Sequence, residues 1–283
     1  MSILIADSGA TKTEWCICEN GQSETVKTEG LNPYYHTLDS IRDVLKNDLL
    51  DKIDVSEVSD LFFYGAGCDS EEKIEIMQQA VGEFFSSAHT EVYHDLLGAA
   101  RACFHDKPGI GCILGTGSNS CLYDGEKILE HIPSLAFILG DEGSAGYFGK
   151  KIINSYFRFE LPPELKESFE KNYNTSLDHI TRGVYDGSQK SRFIASYGAF
   201  LGDHEDHPFI KDMLREGFEN FITRILLNYT DAKKYEIGFI GSVAYAHQKL
   251  ISEILRENGM KPGPFIRKPM QRLVDYHIQR IYD

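Results

Sequence analysis

The strongest constraint on this 283-residue chain is that it states one structural plan twice. Near the N-terminus, Ser2-Ile3-Leu4-Ile5-Ala6 reads as an apolar strand running into a tight polar turn, Asp7-Ser8-Gly9-Ala10-Thr11-Lys12-Thr13. Trp15 to Cys18 reads as the returning strand, Asn20-Gly21 as a two-residue hairpin turn, and Glu24 to Glu29 as a third, more exposed strand. From Gly109 the order begins again. Ile110 to Leu114 ends in Gly115-Thr116-Gly117-Ser118, Asn119 to Tyr123 returns, Asp124-Gly125 turns, and Lys127 to Ile132 forms the third strand. Each copy also has a later apolar strand ending in glycine: Leu61-Phe62-Phe63-Tyr64 before Gly65-Ala66-Gly67, and Glu236-Ile237-Gly238-Phe239-Ile240 before Gly241-Ser242-Val243-Ala244. Repetition of strands together with their turn residues implies a duplicated α/β unit.

The intervening segments carry helical spacing. Ile41, Leu45 and Leu49 share one face of a helix over roughly Leu38 to Leu50, a second helix spans about Ser70 to Phe85, and a third opens at Asp95 after a strand at Glu91 to His94. The first copy is therefore β-β-β-α-β-α-β-α. The second holds a helical insertion over about 141–230 and a helix from 241–244 to about Glu257. The expected domains are 1–107 together with a C-terminal helix at about 269–283, and 108–268.

Composition removes several functions. A formal charge of −14 disfavours nucleic acid or an anionic membrane surface as the main partner. No run reaches the roughly 18–20 uncharged apolar residues a membrane span needs, and Asp7 and Lys12 interrupt any signal-peptide reading. Cys16, Cys18, Cys68, Cys103, Cys112 and Cys121 show no CxxC pair or zinc-type spacing, so thiols in a reducing cytoplasm are expected. Cys16 and Cys18 share a strand face and are read as packing residues.

What remains is a small anionic ligand. In open α/β sheets ligands sit at the carboxyl ends of strands, where small residues let backbone N–H groups approach phosphate oxygens. The turns at 7–13, 65–67, 115–118 and 241–244 all fall there. Gly9, Ala10, Thr11, Lys12 and Thr13 form one candidate phosphate site, and Gly115, Thr116, Gly117 and Ser118 a second. Two such turns would hold a nucleotide triphosphate. GxxxxGK[ST] and GxGxxG are both missing. Asp7 could hold Mg²⁺, through water and beside phosphate oxygens, or could be a hydrogen-bonded turn residue. Asp95 could be a helix N-cap, or the general base that takes a proton from a substrate hydroxyl. In Gly140-Asp141-Glu142-Gly143-Ser144, Asp141 is a candidate for sugar hydroxyls, Glu142 is undecided, and helix capping is the alternative. Asp203-His204-Glu205-Asp206-His207 reads as a solvated acidic loop before Pro208, with metal binding the weaker reading.

At these residues the chain resembles the N-acetylglucosamine kinase branch, grouped with BadF/BadG-type ATPases, of the acetate and sugar kinase/Hsp70/actin superfamily. The carriers are Asp7 to Thr13 as phosphate-1, Gly115-Thr116-Gly117-Ser118-Asn119 as phosphate-2, Gly140-Asp141-Glu142-Gly143-Ser144-Ala145, and Gly241-Ser242-Val243-Ala244 as the adenosine motif. The resemblance covers essentially the whole chain. It implies two ribonuclease H-like, actin-like ATPase domains, each a mixed five-stranded sheet with helices, closing as lobes over ATP-Mg²⁺ and a hexosamine in a cleft. Carried over residue by residue, Asp95 is the catalytic base, and Gly241 and Ser242 fall in the adenosine motif as nucleotide contacts. Asn32, Asp95, Thr116, Asn119, Asp141 and Ala145 fall on sugar-contact positions. The implied reaction is phosphorylation of an amino sugar at O6, and a homodimer is left open. Pro133-Ser134-Leu135-Ala136 departs from the family, which carries glycines in this sugar-pocket loop, so the sugar is not fixed by the resemblance. Two other readings stand beside it: a BadF-type ATPase that activates a partner enzyme through an iron–sulfur cluster, and a sugar or nucleotide sensor without turnover.

Overall fold

The computed structural model describes residues 2–9, 11–19, 21–187 and 189–282. Ala10, Asn20 and their expected roles in the first turns lie outside the described residues. The chain separates into two compact units, 1–107 with 268–283 and 108–267.

In the first unit, β1 (Ser2–Ser8), β2 (Lys12–Glu19) and β3 (Gln22–Glu29) form an antiparallel meander. Next come α1 (Leu38–Val44), continued by one wider turn over 45–49, then β4 (Val58–Gly65), α2 (Glu71–Phe84), β5 (His89–His94) and α3 (Asp95–Phe104). The sheet order is β3-β2-β1-β4-β5, with β4 and β5 parallel to β1. Leu4, Ala6, Trp15 and Phe63 pack with Ile41, Leu45, Met77 and Val81 from the helical side. Trp15 is fully buried, and its indole N–H donates to Thr28 Oγ1 at 3.0 Å, so the large apolar ring brings no unsatisfied donor into the core.

In the second unit, β6 (Gly109–Leu114), β7 (Ser118–Tyr123) and β8 (Ile128–His131) repeat the meander. The insertion follows as α4 (Ala136–Leu139), α5 (Ala145–Phe157), α6 (Pro163–Asn172), α7 (Leu177–Tyr185), α8 (Lys190–Asp203) and α9 (Pro208–Arg224). The chain then enters β9 (Glu236–Ile240), α10 (Ser242–Ala246), α11 (Gln248–Glu257) and β10 (Lys261–Ile266). A final helix, α12 (Met270–Tyr282), packs in the first unit against α3, β1 and β2. The second sheet runs β10-β9-β6-β7-β8, the first sheet's order read from the opposite edge, with β9 and β10 parallel to β6. Two mixed five-stranded sheets with helices are thus built on one topology.

Several expected boundaries move. The helix drawn to Leu50 loses α-geometry after Val44, because the i,i+4 spacing of Ile41, Leu45 and Leu49 also suits a wider turn. The helix drawn through 257 breaks at His247. β10 escapes sequence reading because Pro262 and Pro264 break strand patterning; an edge strand with a register shift between Pro262 and Phe265 tolerates them.

Candidate active site

The first turn hangs from the carboxyl end of β1. Gly9 N–H donates to the Lys12 carbonyl at 3.0 Å, while Gly9 and Lys12 are exposed and Thr11 is partly exposed. Thr13 differs. It is fully buried, its hydroxyl lies 2.7 Å from that of Ser8 and donates to the Glu29 carbonyl, and Leu31 N–H donates to both hydroxyls. The Thr13 side chain therefore stitches the turn to the 29–31 segment. That segment contains Gly30, where a Cβ would lie 2.4 Å from the Gly9 carbonyl oxygen and 2.7 Å from the amides of Thr11 and Lys12. Only a residue without a side chain lets the turn close so tightly.

Strand register surrounds this turn with acids. Asp7 stands opposite Glu14 on β2, and β4 alone separates β1 from β5, whose end leads into Asp95. The Asp7 carboxyl is pushed up to about 7, first by burial and then by the negative charges of Asp95 and Glu14, which Lys12 and Lys268 only partly offset. Glu14 pairs with Lys268 at 3.0 Å. Neither Glu14 nor Lys268 emerged from sequence reading; the register of a short hairpin, which sets residue 7 against residue 14, is the signal that could have found Glu14.

Asp95 is the first residue of α3, and the N-cap belongs to His94: its Nδ1 accepts the Leu96 N–H at 3.0 Å. Nδ1 also lies 3.0 Å from Asp95 Oδ1. Nearby, buried Asn32 turns the chain by accepting the Tyr34 N–H on Oδ1, and a Cβ at Gly67 would strike that same oxygen. The register of β4 with β5 sets Gly65 opposite His94, which brings the 65–69 turn to the sheet end where Asp95 begins α3.

The second turn is held differently. The carbonyls of Gly115 and Thr116 accept the N–H groups of Ala145 and Gly146, both at 2.9 Å, and Asp141 Oδ1 accepts the Ser118 N–H at 3.0 Å. Asp141 is buried in a left-handed conformation, φ 61°, with its carboxyl raised chiefly by burial. Ser118 Oγ is buried and, among the described residues, has no hydrogen-bond partner. Asn119 Oδ1 accepts the Ser120 N–H and lies 2.9 Å from His131 Nε2. Gly241, φ 120°, abuts this turn, since a Cβ there would lie 2.3 Å from the Leu114 carbonyl; exposed Ser242 then opens α10. Glu142 pairs with Arg224 at 3.0 Å, and Ser144 caps α5, which separates the roles left open for the two carboxylates. In the preceding loop, Leu135 and Ala136 hold φ of 58° and 54°, conformations that glycine adopts without strain.

The sequence-derived residues thus form two groups. Asp7, the described part of 9–13, Asn32 and Asp95 belong to the first unit, and 115–119, Asp141, Ala145 and Gly241 to the second. The 203–207 cluster is dispersed among local contacts: His204 bonds Ser168, Glu205 pairs with His247, and His207 caps α9 while pairing with Glu164. Among the described residues no group of three or more His, Cys, Asp or Glu is placed to hold a metal ion. A hydrated Mg²⁺ needs less, one or two carboxylates plus phosphate oxygens, and the undercompensated charge at Asp7 fits it. No disulfide joins the six buried cysteines, and Cys16 and Cys18 do share a face, with their sulfurs 3.7 Å apart.

Two mixed sheets of this order, each with a small-residue turn at the end of its first strand, define an actin-like ATPase fold. No protein-family model matches the sequence, and no curated protein matches it. Solved structures do. A proposed N-acetylglucosamine kinase from Porphyromonas gingivalis is 36% identical over 97% of this chain and 98% of its own, with a TM-score of 0.93. A proposed N-acetylglucosamine kinase from Chromobacterium violaceum shares the fold at 14% identity, TM-score 0.67, over 97% and 98% of the two chains. MreB 5 of Spiroplasma citri, solved with AMPPNP, does so at 11% identity, TM-score 0.50, over 100% and 96%. The chain belongs to the N-acetylglucosamine kinase/BadF-type ATPase family of the acetate and sugar kinase/Hsp70/actin superfamily.

Proposed function

We propose that this chain is an ATP-dependent kinase that phosphorylates N-acetylglucosamine or a closely related amino sugar at O6. The observation that carries the reading is Asp95: a partly exposed carboxylate at a strand-to-helix junction, freed from capping by His94 and sharing its sheet end with Asp7. In this mechanism Asp95 orients the sugar hydroxyl and takes its proton as the hydroxyl oxygen bonds to the γ-phosphorus and the bond to ADP breaks. A positioned base of this kind contributes roughly 10²–10⁴-fold. Backbone N–H groups at 9–13 and 115–118, with Lys12 and the Ser118 hydroxyl, offset charge on the transferring group. Mg²⁺ held at Asp7 would neutralise phosphate charge. Gly241 and Ser242 serve the adenosine, and Asn32, Thr116, Asn119, Asp141 and Ala145 the sugar.

The test is a coupled ADP-release assay with Mg-ATP against a panel of amino sugars and neutral hexoses. N-acetylglucosamine or a near relative should give the highest kcat/KM. Asp95→Asn should bind ADP as the unmodified protein does and lose at least about a hundredfold in sugar-dependent turnover. Turnover within a few-fold removes Asp95 from the mechanism. The strained Leu135–Ala136 backbone favours one second reading, a sensor that binds sugar without turnover; tight sugar binding with no ADP release would establish it.

A further inference from the structure

The imidazole of His94 is given no part in the reaction above, yet it touches the proposed base. Its Nδ1 is 3.0 Å from the Leu96 amide nitrogen and 3.0 Å from Asp95 Oδ1. A ring nitrogen carries either a lone pair or a proton, so it cannot serve both neighbours fully. Unprotonated, Nδ1 accepts the Leu96 N–H and caps α3, leaving the Asp95 carboxylate without a donor from the ring. Protonated, it donates to Asp95 and abandons the cap.

We propose that His94 is a positioning residue that gates Asp95: neutral His94 leaves the carboxylate basic, and protonated His94 holds it in an ion pair that cannot accept the substrate proton. The inference rests on the reading of Asp95 as the base. Among the described residues, the charges found facing the ring are Asp95 on α3 and Asp69 in the turn after β4. Burial opposes the charged ring, but the hydrogen bond and charge of Asp95, with Asp69 behind it, outweigh burial and carry the imidazole above its ordinary value of 6.5. The gate therefore shuts as pH falls through a value higher than an isolated histidine would set.

The decisive measurement is the pH profile of kcat/KM for the sugar at saturating Mg²⁺ and ATP, where a metal held at Asp7 would keep that carboxylate ionised. The unmodified protein should show an acid limb above pH 6.5. His94→Asn retains a capping oxygen but no titrating ring, and its limb should move down by at least about one pH unit, each profile normalised to its own plateau. Turnover with an unmoved limb overturns the role of His94 while leaving Asp95 as the base. Absence of ADP release with every sugar overturns the kinase reading itself. A readout independent of turnover is the NMR titration of the His94 ring, which should fall in Asp95→Asn because its counter-ion is gone. An unchanged titration there overturns the proposal.

Discussion

The turn closing β1 and the turn closing β6 occupy the same place in the same strand order, yet they are secured by opposite means. Around the first, side-chain hydroxyls of Ser8 and Thr13 face inward to the 29–31 segment, and three carboxylates, Asp7, Glu14 and Asp95, crowd the strand ends. Around the second, main-chain carbonyls of Gly115 and Thr116 take amides from α5, one carboxylate is spent on the Ser118 amide, and the Ser118 hydroxyl finds no partner among the described residues. Duplication preserved the scaffold and divided the chemistry. The first unit concentrates negative charge at its strand ends, the proposed base included, whereas the second turn is held by neutral main-chain hydrogen bonds and one carboxylate.

The comparison is broken most easily through the glycines. Gly30→Ala puts a Cβ against three backbone atoms of the first turn, none of which can rotate away. It should cost about 3 kcal/mol in chemical denaturation and weaken ADP binding at least tenfold in calorimetric titration. Gly115→Ala meets nothing within 4 Å and should cost under about 1 kcal/mol. If Gly115→Ala destabilises as much as Gly30→Ala, the two turns are not built differently. Any loss of ADP affinity in a fully stable Gly115→Ala instead marks close approach of the ligand to that backbone.

Asp141 sharpens the second half of the contrast. Asp141→Ala removes the acceptor for a buried amide and leaves alanine in a left-handed conformation, for about 2 kcal/mol in all. Asp141→Asn keeps an acceptor and tolerates the backbone, so it should fold within about 0.5 kcal/mol of the parent. Equal losses in the two variants would mean that the charge, and not the hydrogen bond, supports the turn.

How much of this could be read beforehand depended on whether the signal was local. The hairpins announce themselves through Asp124-Gly125 and through alternation in β3, and Asp95 begins its helix where apolar spacing changes period. Aligning the copies matches four strands of the second with four of the first. β10 stayed hidden because its prolines argue against a strand, and only its edge position makes them harmless. At the site, residues on turns were legible because Gly, Thr and Asp are chosen there for local reasons. The Glu14–Lys268 and Glu142–Arg224 pairs join distant segments, and no local pattern encodes them. His94 fell between these cases: its position at the helix start was visible, but which of two adjacent residues caps the helix is decided by rotamer, which sequence does not display.

The smallest effect tests the charge asymmetry directly. Asp7 titrates at about 7 in the folded chain against an ordinary 3.8, so the folded state holds a proton that the unfolded state has already lost across that interval. Stability must then decline as pH rises from about 4 to 7 and stay reduced above it. Asp7→Asn removes the penalty. It should stabilise the metal-free protein by about 1–2 kcal/mol at pH 8, less than the full shift would give, and the gain should vanish near pH 4. Adding Mg²⁺ with ADP should reverse the ranking, because a cation at Asp7 stabilises the parent by mass action and has no carboxylate to hold in the variant. Thermal melts at pH 4, 6 and 8, with and without Mg-ADP, measure both signs. No gain at pH 8 would show that Asp7 is already compensated by Lys12 and Lys268, and the first turn would then have no more need of a cation than the second.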